Sequence, residues 1–374
     1  MSRTHVCETA WAANLKGFEI TGVAVRNRDI LQVLARKSLP HDRATHMLDA
    51  DTPTRILSVF LDDTSDRNLE CQELENMAFP KLGVSRAPFE RPGGIVVSMG
   101  RDGDAWPLGG GNGPLEKIAV GARPATGRLR CLFGFTYSIG IARTMYKRVA
   151  VSRWERVEGL PAPRNEDELR SAGFNDLDAF SESDVYAVGG HGDVWHFDGR
   201  EWRPMGFPAK EQLATVTCGG DGNVYITSEG GSLWAGRQST WRLLEQRSFS
   251  ILWNDTRWFD GRLWLASDYQ LRVWNGHEIV TPEHEGKPIL ASGHMDAHEG
   301  LLVVADLWSI SVFDGHDWRK VVALCKTPLL TAGCPAFMTE EHMESFAGSS
   351  VGFARRGPAC EGRRLSDTRV ETSP

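Results

Sequence analysis

Disulfide chemistry is the first thing this sequence does without. Its seven cysteines, Cys7, Cys71, Cys131, Cys218, Cys325, Cys334 and Cys360, stand singly, with no C-x-x-C pair. That is the usage of a reduced compartment, not of a disulfide framework or a cysteine-based zinc site. Long apolar runs are missing too. The uncharged run at residues 131–142 has only 12 residues, too few to cross a bilayer as a helix. The opening MSRTHVCETAWAANLKGFEI holds Arg3, Glu8 and Lys16 and no apolar leader core, so a cytoplasmic location is expected. A basic excess is absent as well: 42 Lys and Arg face 49 Asp and Glu, a net charge of −7. This speaks against the basic face of a duplex nucleic-acid binder. Neither an H-E-x-x-H helix nor a P-loop occurs, which turns the reading away from two common catalytic designs.

What the chain has is apolar and turn-forming material in quantity. Apolar residues make up 41%, with 13 Trp, 39 Gly and 18 Pro among 374 residues. That composition is ample for a core and rich in tight turns, as short strands require. An internal repeat then decides the architecture. Residues 185–202, VYAVGGHGDVWHFDGREW, read as strand, Gly-rich turn, strand, Asp-Gly turn, and a third strand opening on Trp202. The layout recurs at 224–241, at 263–279 and at 302–318, with partial copies at 96–106 and 137–154. The large residues Trp154, Trp202, Trp241, Ile279 and Trp318 fall 48, 39, 38 and 39 residues apart. The long first gap contains a polar insertion, residues 159–173.

An earlier strand precedes each copy, in FNDLDAF, QLATVTC, SFSILW and PILASGHM, giving four strands per unit. A lone four-stranded sheet with two apolar faces cannot bury both, so such units stack face to face and close into a ring. The expected fold is therefore all-β, a single β-propeller of about seven four-stranded blades. Six are visible in residues 93–324, with the large residue opening each fourth strand filling the gap between blades. Residues 1–92 are expected to give a divergent seventh blade, sharing strands between both chain ends, with a polar connector over 62–92. Residues 325–374 read as an irregular C-terminal extension. Asp198-Gly199, Asn275-Gly276 and Asp314-Gly315 are expected in two-residue hairpin turns.

Residues 184–205, DVYAVGGHGDVWHFDGREWRPM, resemble kelch repeats in their Gly-Gly doublet followed by spaced aromatics. FDGREW at 197–202 and FDGHDW at 313–318 resemble degenerate Asp-box turns of sialidase-like propellers. The resemblance implies the propeller fold; function does not follow from it, because propellers host enzymes, lectins and scaffolds alike.

In a propeller the loops joining second to third strands gather on one face with the connections between blades. Here those loops place Asp102, Asp104, Asp193, Glu229, Asp268 and Asp306 on one rim, with Arg143, His191 and Trp308 beside them. The functional reading is an acidic face for a basic protein; the plainer one is that Asp suits turns. Three further constellations carry less. His294, Asp296 and His298, with His284 nearby, are spaced to point one way from a strand, but they lead into a turn and no metal is expected. Trp253, Trp258 and Trp264 have the density of a sugar-stacking platform, yet blade filling accounts for them better. A sialidase-like site needs a nucleophile, for which Tyr269 alone among five Tyr sits in a rim loop. The expectation is a monomeric, non-catalytic protein-binding propeller with no cofactor, neutralising a basic partner such as a toxin in an immunity role. A lectin-like propeller and a divergent sialidase- or lyase-like enzyme are the alternatives.

Overall fold

The computed structural model describes residues 6, 8–39, 47–62, 68–87, 93–97, 103–108, 114–119, 126–246 and 251–323. The chain divides into two compact units, 1–325 and 326–374; the second lies outside the described residues, as does the expected C-terminal extension.

Seven antiparallel four-stranded sheets follow one another along the chain, each in strand order one to four. Blade 1 is β1 Phe18–Asn27, β2 Ile30–Lys37, β3 Thr54–Phe60 and β4 Leu69–Leu74. Blade 2 is β5 Lys81–Ser85, β6 Gly93–Val97, β7 Asp104–Leu108 and β8 Glu116–Lys117. Blade 3 is β9 Thr126–Leu132, β10 Phe135–Gly140, β11 Met145–Ala150 and β12 Arg153–Arg156. Blade 4 is β13 Asp176–Ser181, β14 Asp184–Gly189, β15 Asp193–Phe197 and β16 Trp202–Pro204. Blade 5 is β17 Leu213–Cys218, β18 Val224–Ser228, β19 Leu233–Arg237 and β20 Thr240–Glu245. Blade 6 is β21 Asp255–Phe259, β22 Arg262–Ala266, β23 Leu271–Trp274 and β24 Ile279–Val280. A small hairpin, β25 Glu283–His284 and β26 Lys287–Pro288, precedes blade 7, which is β27 His294–His298, β28 Leu301–Ala305, β29 Ser309–Phe313 and β30 Trp318–Ala323. Helices are short: α1 Glu8–Leu15 before blade 1, and α2 Glu166–Ser171 between blades 3 and 4.

First strands of neighbouring blades touch around the ring, with β27 against β1 completing it. The seven-bladed propeller is thus a closed structure with the first strands lining its axis. Its core is seven separate wedges, one between each pair of blades. Second strands are sandwiched by neighbouring blades and are largely buried; β18 and β28 are buried at every residue. Fourth strands are outermost and mostly polar apart from the large residue near their start, β30 also burying Val321 and Val322. The large residue packs into the wedge shared with the preceding blade, as Trp154, Trp202, Trp241, Ile279 and Trp318 all do.

Four details differ from the sequence reading. The stretch 62–92 contains two strands, β4 and β5, instead of a plain connector. β4 was concealed because LECQEL is an edge strand, half exposed, which pairs in register from Thr54↔Leu74 to Val59↔Leu69 without a marked apolar period. Blade 6 begins at Asp255, after the SFSILW segment. The Asp-Gly and Asn-Gly hairpins have four-residue loops, since Phe197 pairs Trp202, Trp274 pairs Ile279 and Phe313 pairs Trp318. In each, the Asp or Asn Oδ1 accepts N–H groups two and three residues on, for example Arg200 and Glu201 on Asp198 at 3.0 Å. Finally, blades 1 and 7 each take all four strands from one segment, so no strand is shared between the chain ends.

Candidate protein-binding face

Because the strands alternate in direction, turns after first and third strands emerge on one face. The second-to-third loops and the connections between blades emerge on the other, here called the loop face. In the described residues of the loop-face segments, 13 Asp and Glu accompany five Lys and Arg. Acidity alone does not single this face out, because the opposite turns are also rich in Asp, as at Asp198, Asp221, Asp260 and Asp314. Exposed apolar residues do. Of 14 exposed large hydrophobics among the described residues, ten lie in loop-face segments, and Leu115, Phe133 and Val151 are the three in opposite-face turns.

The sequence-expected residues sit in different circumstances. Asp102 lies outside the described residues. Asp104 opens β7 and holds Lys117 Nζ at 2.5 Å. Arg143 and Asp193 form a buried joint: Arg143 Nε donates to Asp193 at 2.8 Å and Nη1 to Glu168 at 3.0 Å. Asp193 also receives Gly173 N and Trp195 Nε1, and the Arg143 guanidinium lies 5.1 Å from the Trp195 ring. This pair knits blade 3 to the α2 connection and blade 4. His191 is exposed beside Gln212. Glu229 is exposed too; desolvation pushes its carboxyl up, against the pull of His191. Asp268 accepts Asn254 Nδ2 at 2.6 Å. Asp306 accepts Trp308 N, Ser309 N and Ser309 Oγ, which fixes a tight turn and holds up Trp308, 45% exposed.

Sequence reading missed the axis. Its first strands carry interleaved arginines and aspartates around a cavity of about 260 Å³. Asp176 accepts Val216 N from the next blade at 3.0 Å, and Asp178 accepts Cys218 N at 2.8 Å. Asp255 accepts Met295 N at 3.1 Å, and Asp296 accepts Val25 N at 2.9 Å across the closing seam. Arginines answer them: Arg130 on Asp176 at 2.7 Å, Arg257 on Asp296 at 3.0 Å, and Arg128 reaching from blade 3 to Asp255 of blade 6 at 2.9 Å. Burial alone would raise the Asp255 carboxyl, but Arg128, His294 and Arg257 together hold it well below the usual carboxylate range. Arg257 and Arg86 overcome burial in the same way at Asp296. Asp178, for which burial outweighs Arg130, is pushed up. A signal for this existed in the Asn-Asp pairs at 175–176 and 254–255, two blade lengths apart. Each Asn also ties its blade to the next, Asn175 Nδ2 on Leu213 O and Asn254 Nδ2 on Gly293 O.

The weaker constellations resolve through the same packing. Asp296 is engaged by Arg257, and His294 stands 3.5 Å from Asp255. Among the described residues no group of three or more His, Cys, Asp and Glu is arranged to hold a metal ion. Trp253 and Trp264 are fully buried, and Trp258 stacks on Tyr225, so this cluster fills blade interfaces. A G-x-S-x-G spacing at residues 348–352 lies outside the described residues.

No family model matches the chain. It is similar to the immune protein Tsi7 of Pseudomonas aeruginosa, 27% identical over 250 residues, which cover 64% of this chain and 79% of that protein. Among solved structures it is similar to the WD40 β-propeller domain of Doa1, at TM-score 0.52 and 10% identity, covering 77% of this chain and 90% of that one. It also aligns with YCF48 bound to D1 peptide, at TM-score 0.49 and 13% identity, covering 79% and 88%. The structural likeness to Doa1 bears on fold alone, and confirms the propeller.

Proposed function

We propose that this chain is an immunity-type protein, a non-catalytic propeller that binds and neutralises a protein toxin. The observation that carries the reading is the similarity to an immune protein across 79% of that protein's length. A closed ring suits the task, since its loops vary in sequence on a scaffold that does not move. The acid-rich loop face supports a basic partner through charge complementarity, which speeds encounter and rejects like-charged competitors. The singly placed cysteines support a cytoplasmic site of action for a monomer. The four-residue turns capped by Asp198 and Asp314 support a kelch-like blade with degenerate Asp-box turns. Sugar binding and sialidase-like hydrolysis find less support: the dense Trp cluster is packed between blades, and Tyr269 stands 87% exposed on a loop.

Co-expression tests the proposal. Cells producing a candidate toxin should recover growth when this chain is made alongside it, and the two purified proteins should form a stoichiometric complex by size exclusion. Growth rescue without a complex, or turnover of the toxin by the chain, would overturn it.

A further inference from the structure

We infer that the toxin docks on one sector of the loop face, over blades 6, 7 and 1, with Tyr269 and Trp308 as its anchors. This deepens the immunity reading and rests on it. The sector's segments are 47–53, 251–254, 267–270, 281–293 and 306–308. They present Leu48 at 72% exposure and Leu290 at 86%, with Leu252, Leu307, Tyr269 and Trp308 among them. Large aromatic and aliphatic groups left in water on neighbouring loops mark protein interfaces, and Trp and Tyr are enriched where binding energy concentrates.

The sector is also held rigid. Ser267 Oγ accepts the backbone N–H groups of Tyr269 and Gln270, while Asp306 fixes the turn bearing Trp308. Asn254 joins Asp268 and Gly293 O, and Gly293 N donates to Ser267 O at 2.6 Å. Ile20 N donates to Leu307 O at 3.0 Å, attaching blade 7's loop to blade 1. Side chains presented from fixed turns lose little freedom on binding.

Charge selects the occupant. Described residues of this sector hold six carboxylates (Asp49, Asp51, Asp268, Glu283, Glu285 and Asp306) against one lysine, Lys287. Over blades 3 to 5 the segments 141–144, 157–175, 190–192, 205–212 and 229–232 hold six carboxylates against four Lys and Arg. A basic protein surface with an apolar centre fits blades 6, 7 and 1, where six carboxylates less one lysine leave a net −5, better than blades 3 to 5, where six less four leave −2.

The probe is the toxin whose growth arrest the wild-type chain relieves. Its Kd is measured for Tyr269→Ala/Trp308→Ala, for Ile141→Ala/Leu169→Ala over blades 3 and 4, and for Phe133→Ala/Val151→Ala on the opposite face. The first pair should weaken binding about 100-fold and the other two less than about threefold. Glu283→Lys/Glu285→Lys should slow association without unfolding the protein. Wild-type affinity in Tyr269→Ala/Trp308→Ala, with the loss falling on another pair, overturns the sector and leaves the immunity reading standing. A wild-type dimer split by the same variant makes the face a self-interface and overturns the toxin as its occupant. If no toxin is relieved, the immunity reading itself falls and the docking assignment with it.

Discussion

At the scale of single residues, the polar groups inside this molecule are joints between blades. Glu116 and Arg148 have fully buried side chains. Glu116 Oε2 takes Arg148 Nε at 2.7 Å and Trp154 Nε1 at 2.9 Å, and its Oε1 takes Ser152 N at 2.8 Å. The blade 2 edge is thereby attached to the outer strands of blade 3. Removing one partner strands a buried charge, so Glu116→Ala should cost about 3–5 kcal/mol. Glu116→Leu with Arg148→Met removes both charges and should cost far less; urea midpoints of the two variants check this, and equal losses would deny the pair its role. At the axis, Asp255 links stability to acid. Its folded carboxyl is held below the ordinary range, so its contribution is complete above about pH 4 and is lost as pH falls towards the depressed folded value. Asp255→Asn should therefore destabilise the protein by about 3 kcal/mol at neutral pH. Its penalty should shrink between pH 4 and pH 2, because the wild-type carboxyl then takes up a proton in the unfolded chain while the folded one stays ionised, and the wild type loses the stability that the variant never had. Urea midpoints at pH 7, 4 and 2.5 measure this, and a constant gap between the two proteins would rule out the linkage.

At the scale of elements, legibility followed burial. Second and third strands were plain in the sequence because neighbouring blades cover both their faces, leaving runs such as VYITS and LLVVA. The large residue near the start of a fourth strand was equally plain, since it must fill a wedge on an otherwise mostly polar strand. First strands were harder. Facing the axis, they trade apolar side chains for Asp, Arg and Thr: FNDLDAF is legible from its place before a repeat copy, whereas WNDTRWF yields to the more apolar SFSILW before it. Thr215, Thr217 and Thr256 are a further case, buried hydroxyls 2.7–2.9 Å apart across blades 5 and 6. The candidate site was legible as a face and not as contacts. Strand alternation dictates which loops share a side, whereas nothing in a sequence tells that Asp193 is spent on Arg143 or that Tyr269 stands in water. The ring of axial aspartates escaped because its bonds go to distant backbone N–H groups, 40 residues on from Asp176, Asp178 and Asp255 and 271 back from Asp296, and these leave no side-chain pattern.

At the scale of the whole molecule, the ring has one seam unlike the rest. Six pairs of neighbouring blades are joined by the chain running from a fourth strand into the next first strand. Blades 7 and 1 meet without such a link, so packing and hydrogen bonds alone close the circle. The wedge there is correspondingly large: 19 buried residues, against ten in the next largest among the described residues. Part of it comes from the segment before blade 1, where Val6, Trp11 and Leu15 pack against both blades and Val6 N donates to Val321 O at 3.1 Å. Trp11, 1% exposed, is the largest of these side chains. Trp11→Ala should cost about 3–5 kcal/mol, and the loss should be local before it is global. Hydrogen exchange should speed first in β1 and in β27–β30 while blades 3 to 5 keep their protection. Trp253→Ala, which empties the wedge between blades 5 and 6, is the matched comparison: a covalent connection holds its seam, so a similar loss of stability should open a smaller region. If both variants loosen the same amides to the same degree, the ring unfolds as one unit and its uncovalent seam is no weaker than the others. If Trp11→Ala alone separates blades 7 and 1, then α1 is the clasp of the propeller. It would also steady the loop-face sector above it, because Leu307 of blade 7 is bonded to Ile20 of blade 1 across that same seam.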